Sequence, residues 1–283
     1  MVKGNVHVIF GGMEYDRVVR PIISHFPSQK IIVFVSGGKE YPNLSSIALS
    51  FMERLKVLPV EIVIKELDMH SFNTIFENLI RHALEEFLFG NDKIYINISW
   101  APRLAVAAAH TVACFINSRI LEDILDGLKF GNIEIYYVKP ERYLMPELIS
   151  AMRAGNHSKV EKIFQEFEQS GSAYGMKEIV KVPSFALESL TILDIAIIET
   201  IAKHGKIDSI QSLTNSLRKE YDIRRSSVQY RVERLLEKKL IKAKKENKGI
   251  SLYVTEAGQV YLLYYKTLIS FKDKLKGSRK NRN

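Results

Sequence analysis

The sequence predicts an α/β domain built on a parallel sheet, followed by a smaller, basic module of three helices and a hairpin. Three observations carry that prediction. Through residue 183, short runs of β-branched and aromatic residues alternate with helical periodicities, the pattern of strands joined by crossover helices. The stretch Ile94 to Ile116 (IYINISWAPRLAVAAAHTVACFI) joins a buried strand to a helix that is mostly Ala and Val. Such a helix has almost no polar face and must be covered on most sides. Finally, the net charge of +9 is uneven. Residues 184–283 hold 21 Lys and Arg against 11 Asp and Glu, whereas residues 1–183 are close to neutral. A generally basic protein would spread its charge, so the clustering points to a polyanion-binding module after a near-neutral first domain. We place the boundary between 1–183 and 184–283.

A chain of 283 residues is long enough for two domains with real cores. No apolar run approaches transmembrane length, and the start MVKGNVHVIF lacks a signal-peptide pattern, so a cytoplasmic protein with no membrane partner is expected. The single cysteine, Cys114, allows no intramolecular disulfide and no cysteine metal cluster; a buried structural thiol is its expected role.

The elements of the first domain follow in order. Val6 to Phe10 is a strand that runs into Gly11-Gly12. Glu14 to Phe26 carries Val18, Val19, Ile22, Ile23 and Phe26 at helical spacing, with Pro21 expected to kink or interrupt the helix. Ile31 to Val35 is a second strand ending in Ser36-Gly37-Gly38. A helix from about Asn43 to Lys56, a strand from Val60 to Lys65 and a helix from Phe72 to Phe89 come next. The strand Ile94 to Ile98 breaks at Ser99-Trp100-Ala101-Pro102, with Pro102 suited to the first helical position. Ile133 to Val138 is a further strand, Pro146 to Gln169 has helical periodicity, and Gln169 to Gly175 reads as a loop. Ile179 to Val182 is a last strand, and Pro183 a hinge. The alternation implies a parallel, Rossmann-like sheet, whose ligands sit at the carboxyl edge.

Three turns at that edge carry residues suited to phosphates. Gly11-Gly12 and Ser36-Gly37-Gly38 let backbone N–H groups approach a ligand closely. At the third, Ser99 and the helix start can hold an anion, Arg103 adds a full charge, and Trp100 offers a face for a base. The alternative is a plain strand-to-helix turn in which Ser99 caps and Trp100 fills a hole. The full dinucleotide and Walker glycine motifs are absent, which removes the main support for a dehydrogenase or NTPase.

In the second domain, Ile192 to Lys203 is an apolar-periodic helix, and Ser209 caps a second from Ile210 to Tyr221. Arg224 to Lys239 is the third, capped near Ser226 or Ser227, with Val228, Val232, Leu235 and Leu236 as its inner stripe. This leaves Arg224, Arg225, Ser226, Ser227, Gln229, Tyr230 and Arg234 for the outside. Leu240 to Lys242 opens a strand, Lys244 to Gly249 is a charged turn, and Ser251 to Thr255 returns. Gly258 to Lys276 is a final helix, and the basic tail from Lys272 to Asn283 is expected to be disordered. Three helices and a basic hairpin make a winged helix-turn-helix. Its third helix can enter the major groove of duplex DNA, where Gln229 and the arginines read base edges. Lys242, Lys244, Lys245 and Lys248 on the wing can meet phosphates.

Two motifs resemble those of the CARF (CRISPR-associated Rossmann fold) domain. The first is Gly12, Tyr15, Asp16, Arg17 and Val18 after the first strand; the second is Asn97-Ile98-Ser99 at a strand end, followed by Arg103. In domain order the chain is similar to archaeal regulators that join a CARF-like domain to a winged helix-turn-helix. The resemblance implies a homodimer that binds a cyclic oligoadenylate, a nucleotide second messenger, across its two-fold axis. The candidate ligand-binding residues are Gly11, Gly12, Met13, Arg17, Ser36, Gly37, Gly38, Asn97, Ser99, Trp100, Ala101 and Arg103. The chain departs from the family pattern at Trp100-Ala101, where Gly-Gly is usual. Two side chains there block the ring or reshape its pocket.

The expected function is a dimeric, ligand-responsive transcriptional regulator that binds double-stranded DNA, with no cofactor, metal or catalytic residue assigned. One alternative is a ring nuclease that cleaves the ring through its own 2′-OH, with Ser99, Arg17 and Arg103 stabilising charge. No general base is obvious beside the turns. His7 is mid-strand and His110 lies well inside its helix, and both read as core histidines. A second alternative, motivated by Trp100, is a constitutive DNA binder that has lost its ligand.

Overall fold

The computed structural model describes residues 4–12, 14–36, 53–120, 124, 125, 128, 130–246 and 249–280. The chain divides into two compact units, Met1–Ser118 with Leu128–Leu187 and Arg119–Gly127 with Glu188–Asn283.

In the first unit, β1 (Asn5–Phe10), β2 (Lys30–Ser36), β3 (Glu61–Leu67), β4 (Lys93–Asn97), β5 (Asn132–Lys139) and β8 (Glu178–Val182) form one sheet in the order β3-β2-β1-β4-β5-β8. The first five are mutually parallel. They are joined by α1 (Tyr15–Ser24), α2 (Phe72–Leu88) and α3 (Arg103–Asn117). The helix expected from Asn43 lies outside the described residues through position 52. β1 and β2 are buried along almost their whole length, because helices cover both faces of a parallel sheet. Ile31, Val33 and Val35 pack with Val18, Val19 and Ile22 of α1. The alternate residue Phe34 meets His82 of α2, ring centres 5.7 Å apart. The Ala-rich face of α3 (Ala105, Ala108, Ala109, Val112) is fully buried. Its small side chains let α2 approach closely, and Phe76 and Phe115 meet edge-on at 5.8 Å.

Three details refine or differ from the sequence expectation, each for a local reason. Pro21 sits inside α1 without ending it. A proline has no N–H for the carbonyl four residues back, and here Asn97 Nδ2 donates to the Arg17 carbonyl at 2.8 Å instead. Pro102 is the N-cap of α3 rather than its first residue, with extended backbone at φ −54° and ψ 151°. The periodicity from Pro146 to Gln169 resolves into two helices, α4 (Leu144–Arg153) and α5 (His157–Ser170). The break falls at Gly155, φ +65°, and Asn156 caps the second helix by accepting from Lys159 N.

β8 is antiparallel to β5, so the sheet is mostly rather than wholly parallel. The excursion that carries α4 and α5 is closed at its base by the ribbon of β6 (Arg142–Tyr143) and β7 (Ala173–Tyr174), the latter lying in the stretch expected to be a loop. Lys177 N donates to the Lys139 carbonyl at 2.9 Å. β8 therefore begins where β5 ended and can only run back.

The second unit holds α6 (Ile192–His204), α7 (Ile210–Leu217), α8 (Arg225–Glu237), the antiparallel hairpin of β9 (Ile241–Glu246) and β10 (Gly249–Val254), and α9 (Glu256–Lys280). Ile207, between α6 and α7, bridges Leu252 of β10 through two backbone hydrogen bonds. Ile195, Ile198, Ile201, Leu213, Leu217, Val228, Val232, Leu235, Leu262 and Leu268 are among its buried apolar residues. Thr191 and Asp194 form a reciprocal capping box on α6. Ser209 caps α7. The tail expected to be disordered from Lys272 is helical as far as Lys280; its Lys residues are good helix formers even where the apolar pattern fades.

Candidate functional site

Strand order reverses between β1 and β4, and in such sheets the crevice beyond the carboxyl ends at that point is where ligands bind. The turns after β1 and β4 meet there. They are already in contact. A Cβ placed on Gly12 would fall 1.5 Å from Trp100 Cδ1 and 1.9 Å from Nε1. The half-buried indole therefore lies directly on the Gly12 backbone. Gly11 is equally constrained: its N–H donates to the Phe34 carbonyl at 2.7 Å, and an added Cβ would sit 2.7 Å from Val35 Cγ1. Both glycines thus have packing reasons to be glycine, independent of any phosphate.

Other predicted ligand residues turn inward. Arg17 is buried. Its Nε donates to the Val138 carbonyl at 2.7 Å, its guanidinium pairs with buried Glu14, and its Cζ lies 4.8 Å from the centre of the Tyr137 ring. Burial pushes the Glu14 carboxyl above the ordinary range, against the pull of hydrogen bonds from Ser172 and Arg17. Asp16, next in the same motif, accepts from Gly175 N at 3.1 Å. Glu14 and Asp16 together fasten the β6–β7 ribbon to the start of α1. Asn97 is buried too. Besides its bond to the Arg17 carbonyl, its Oδ1 accepts from Ser99 N and Ser99 Oγ. Ser99 Oγ in turn accepts from Val138 N at 2.8 Å, so it does not cap α3. Ser36 and Ala101 are half-buried and Arg103 is exposed. α3 starts without a side-chain cap, leaving its first N–H groups beside the crevice. Met13, Gly37 and Gly38 lie outside the described residues.

His7 and His110 are structural and lie toward the amino ends of the parallel strands, away from this edge. His7 is fully buried between Ser28 Oγ and Tyr136 Oη, each 2.7 Å from a ring nitrogen, and burial lowers its pKa to about 3. His110 is half-buried rather than in the core; its Nε2 meets the Pro183 carbonyl at 3.0 Å. Cys114 is buried, with the Phe185 N–H directed at its sulfur. Among the described residues no cluster of His, Cys, Asp or Glu is placed to hold a metal, and no helix is long and apolar enough to cross a membrane.

In the second unit, α8 buries Val228, Val232 and Leu235 and exposes Arg225, Ser226, Ser227, Gln229, Tyr230 and Glu233. Arg224 is its N-cap and makes no side-chain cap bond. The capping expected from Ser226 or Ser227 does not occur, since both lie inside the first turn and face outward. Tyr230 is 60% exposed, and the half-buried Arg234 lies over its ring, with Cζ 5.9 Å from the centre. Gln229 Nε2 donates to Glu233 Oε1 at 3.1 Å. Arg231, which the sequence does not single out, holds the helix in place. Its Nη1 donates to Thr191 Oγ1 at 2.7 Å and Asp194 Oδ1 at 2.8 Å. Burial raises the Asp194 pKa, but hydrogen bonds from Thr191 and Arg231 outweigh it and hold the carboxyl below its usual range.

On the hairpin, Lys242, Lys244 and Lys245 are all exposed. Ile241 and Leu252, the partner of Ala243, are buried. Strand alternation puts Lys242 and Lys244 on one face of the hairpin and Lys245 on the other. Lys244 Nζ stands 5.4 Å from the Tyr253 ring centre. Lys248 lies outside the described residues.

Comparison with known proteins gives the following. No protein with a curated description matches the chain. Among solved structures, the oxidized form of MarR from E. coli is 16% identical at TM-score 0.25 and matches 30% of this chain. Protein VC1899 from Vibrio cholerae is 12% identical at TM-score 0.35 and matches 93%. The chain spans 62% and 66% of those two structures' lengths. Residues 5–143, which run from β1 through β6 and contain every candidate residue of the sheet edge, are similar to the family described as "HFX_2341_N:-like, N-terminal".

Proposed function

We propose that this protein is a homodimeric DNA-binding transcriptional regulator whose second unit is a winged helix-turn-helix. The observation that carries the reading is the face of α8. Its inner stripe is packed, Arg231 clamps it to the α6 start, and its first two turns present Arg225, Ser226, Gln229 and Tyr230 to solvent. A rigid helix with exposed donors and acceptors at its N-terminal half is what the major groove accepts. The exposed lysines of β9 supply phosphate contacts, which add affinity without sequence information. The test is fluorescence anisotropy with labelled duplexes and the full chain at low salt. Saturable binding that Arg225→Ala weakens supports the reading, and no binding to any duplex overturns it.

The first unit, in this reading, is a CARF-like sensor of a nucleotide signal, with a cyclic oligoadenylate as the candidate effector. Support comes from the crevice between β1 and β4, the uncapped start of α3 and the exposed Arg103 beside it. Trp100 is the only tryptophan of the chain and lies over Gly12, so a ligand that enters must move it. Titration with cyclic tetra- and hexa-adenylate, followed by Trp100 emission and calorimetry, tests the effector. Silence in both rejects that effector and leaves DNA binding standing.

A further inference from the structure

The exposed Gln229–Glu233 pair on α8 does more than decorate the helix surface. A glutamine amide has one oxygen and one NH2, and a half-turn about its last bond exchanges them. An ionised carboxylate only accepts hydrogen bonds. Donation from Gln229 Nε2 to Glu233 Oε1 at 3.1 Å therefore fixes which way the amide points. One N–H goes to Glu233, which leaves one N–H and the carbonyl oxygen for another partner. That donor and acceptor pair matches the major-groove edge of adenine, which offers N7 as acceptor and the N6 amino group as donor. Guanine offers two acceptors there and asks for two donors. With one N–H committed to Glu233, Gln229 can supply only one.

We infer that Glu233 is a positioning residue that sets the amide of Gln229 to select adenine over guanine at one position of the DNA site. The inference rests on the reading that α8 enters the major groove. Neither side chain contributes to the core, since both are exposed, so their replacement leaves the fold intact. Glu233→Gln keeps the shape but can donate as well as accept, which releases the amide to turn over and offer both N–H groups to guanine.

The experiment is in vitro selection from a random duplex library with the full chain, run in parallel for wild type, Gln229→Ala and Glu233→Gln. Competition binding then measures adenine against guanine at the position that Gln229→Ala makes indifferent. The expected result is an adenine preference of about tenfold in wild type, the span of one good bidentate contact. Glu233→Gln should cut it severalfold while overall affinity holds or rises. An unchanged preference in Glu233→Gln, or a selected site that Gln229→Ala does not alter, overturns the inference but leaves DNA binding intact. Failure of wild type to select any sequence instead overturns the groove reading on which the inference rests.

Discussion

Gly12→Ala is the substitution that most directly probes the filled crevice. The added Cβ would lie 1.5 Å from Trp100 Cδ1 and 2.1 Å from Cγ, whereas carbon atoms in good contact sit about 3.5–4.0 Å apart. The indole must withdraw by about 2 Å. Overpacking of this kind costs about 1–3 kcal/mol. The half-buried ring can also swing away altogether, which caps the cost. A tryptophan buries about 200 Å² when covered, so a half-covered one forfeits about 100 Å², or about 2.5 kcal/mol. Trp100→Ala already incurs that loss and empties the space above Gly12. Hence Gly12→Ala should cost about 2 kcal/mol in wild type and nearly nothing beside Trp100→Ala. Urea unfolding of the four proteins followed by circular dichroism gives the cycle, and Trp100 emission reports ring movement in Gly12→Ala alone. Additive costs within about 0.5 kcal/mol, the scatter of independent sites, would refute the packing of Trp100 on Gly12.

Other predictions follow from buried polar groups and one strained backbone. Asn97→Ala should destabilise by about 2 kcal/mol, since it orphans the Arg17 carbonyl. Adding Pro21→Ala supplies the missing helical N–H and should restore part of that loss in urea unfolding, whereas Pro21→Ala should show no such gain where Asn97 is intact. The neutral His7, with its pKa lowered by burial from 6.5 to about 3, takes up a proton only on unfolding in that range. Its stabilising contribution is therefore full above pH 6.5 and lost as pH falls toward 3, with a slope of about 1.4 kcal/mol per pH unit; unfolding as a function of pH should flatten by that slope in His7→Phe. Lys239 holds φ +57° just after α8, so Lys239→Gly should stabilise by about 1 kcal/mol in thermal unfolding.

Much of the sheet is legible in the sequence because buried parallel strands read as uninterrupted apolar runs, as in Ile31 to Val35. The packed stripe of α8 is legible for the matching reason, its 3.6-residue period. What escapes is long range. Nothing near Arg17 announces that its side chain reaches Val138, or that Glu14 meets Ser172 in the closing ribbon. A Glu three residues before an Arg was the only local signal of that buried pair. Gly11-Gly12 has a packing role that the motif does not announce: Val35 and Trp100, distant in sequence, lie against the two glycines. Likewise Ser226 and Ser227 suit a helix cap by type, but the helix begins two residues too early for the first and three for the second. The antiparallel β8 follows from the ribbon's closure, a pairing of two dipeptides that no periodicity reveals.

The measurement that tests the central claim most directly is the salt dependence of duplex binding by the full chain, set against Lys242→Ala/Lys244→Ala. These two lysines are exposed and share one face of β9, and the proposed reading assigns them to phosphates. Each phosphate contact contributes about 0.9 to the slope of log affinity against log salt. The double variant should bind more weakly at 50–200 mM salt (roughly the range over which such contacts fade), with a slope shallower by about 1.8. Sequence preference should not change. An unchanged slope, or no duplex binding by wild type at the lowest salt, would contradict the account.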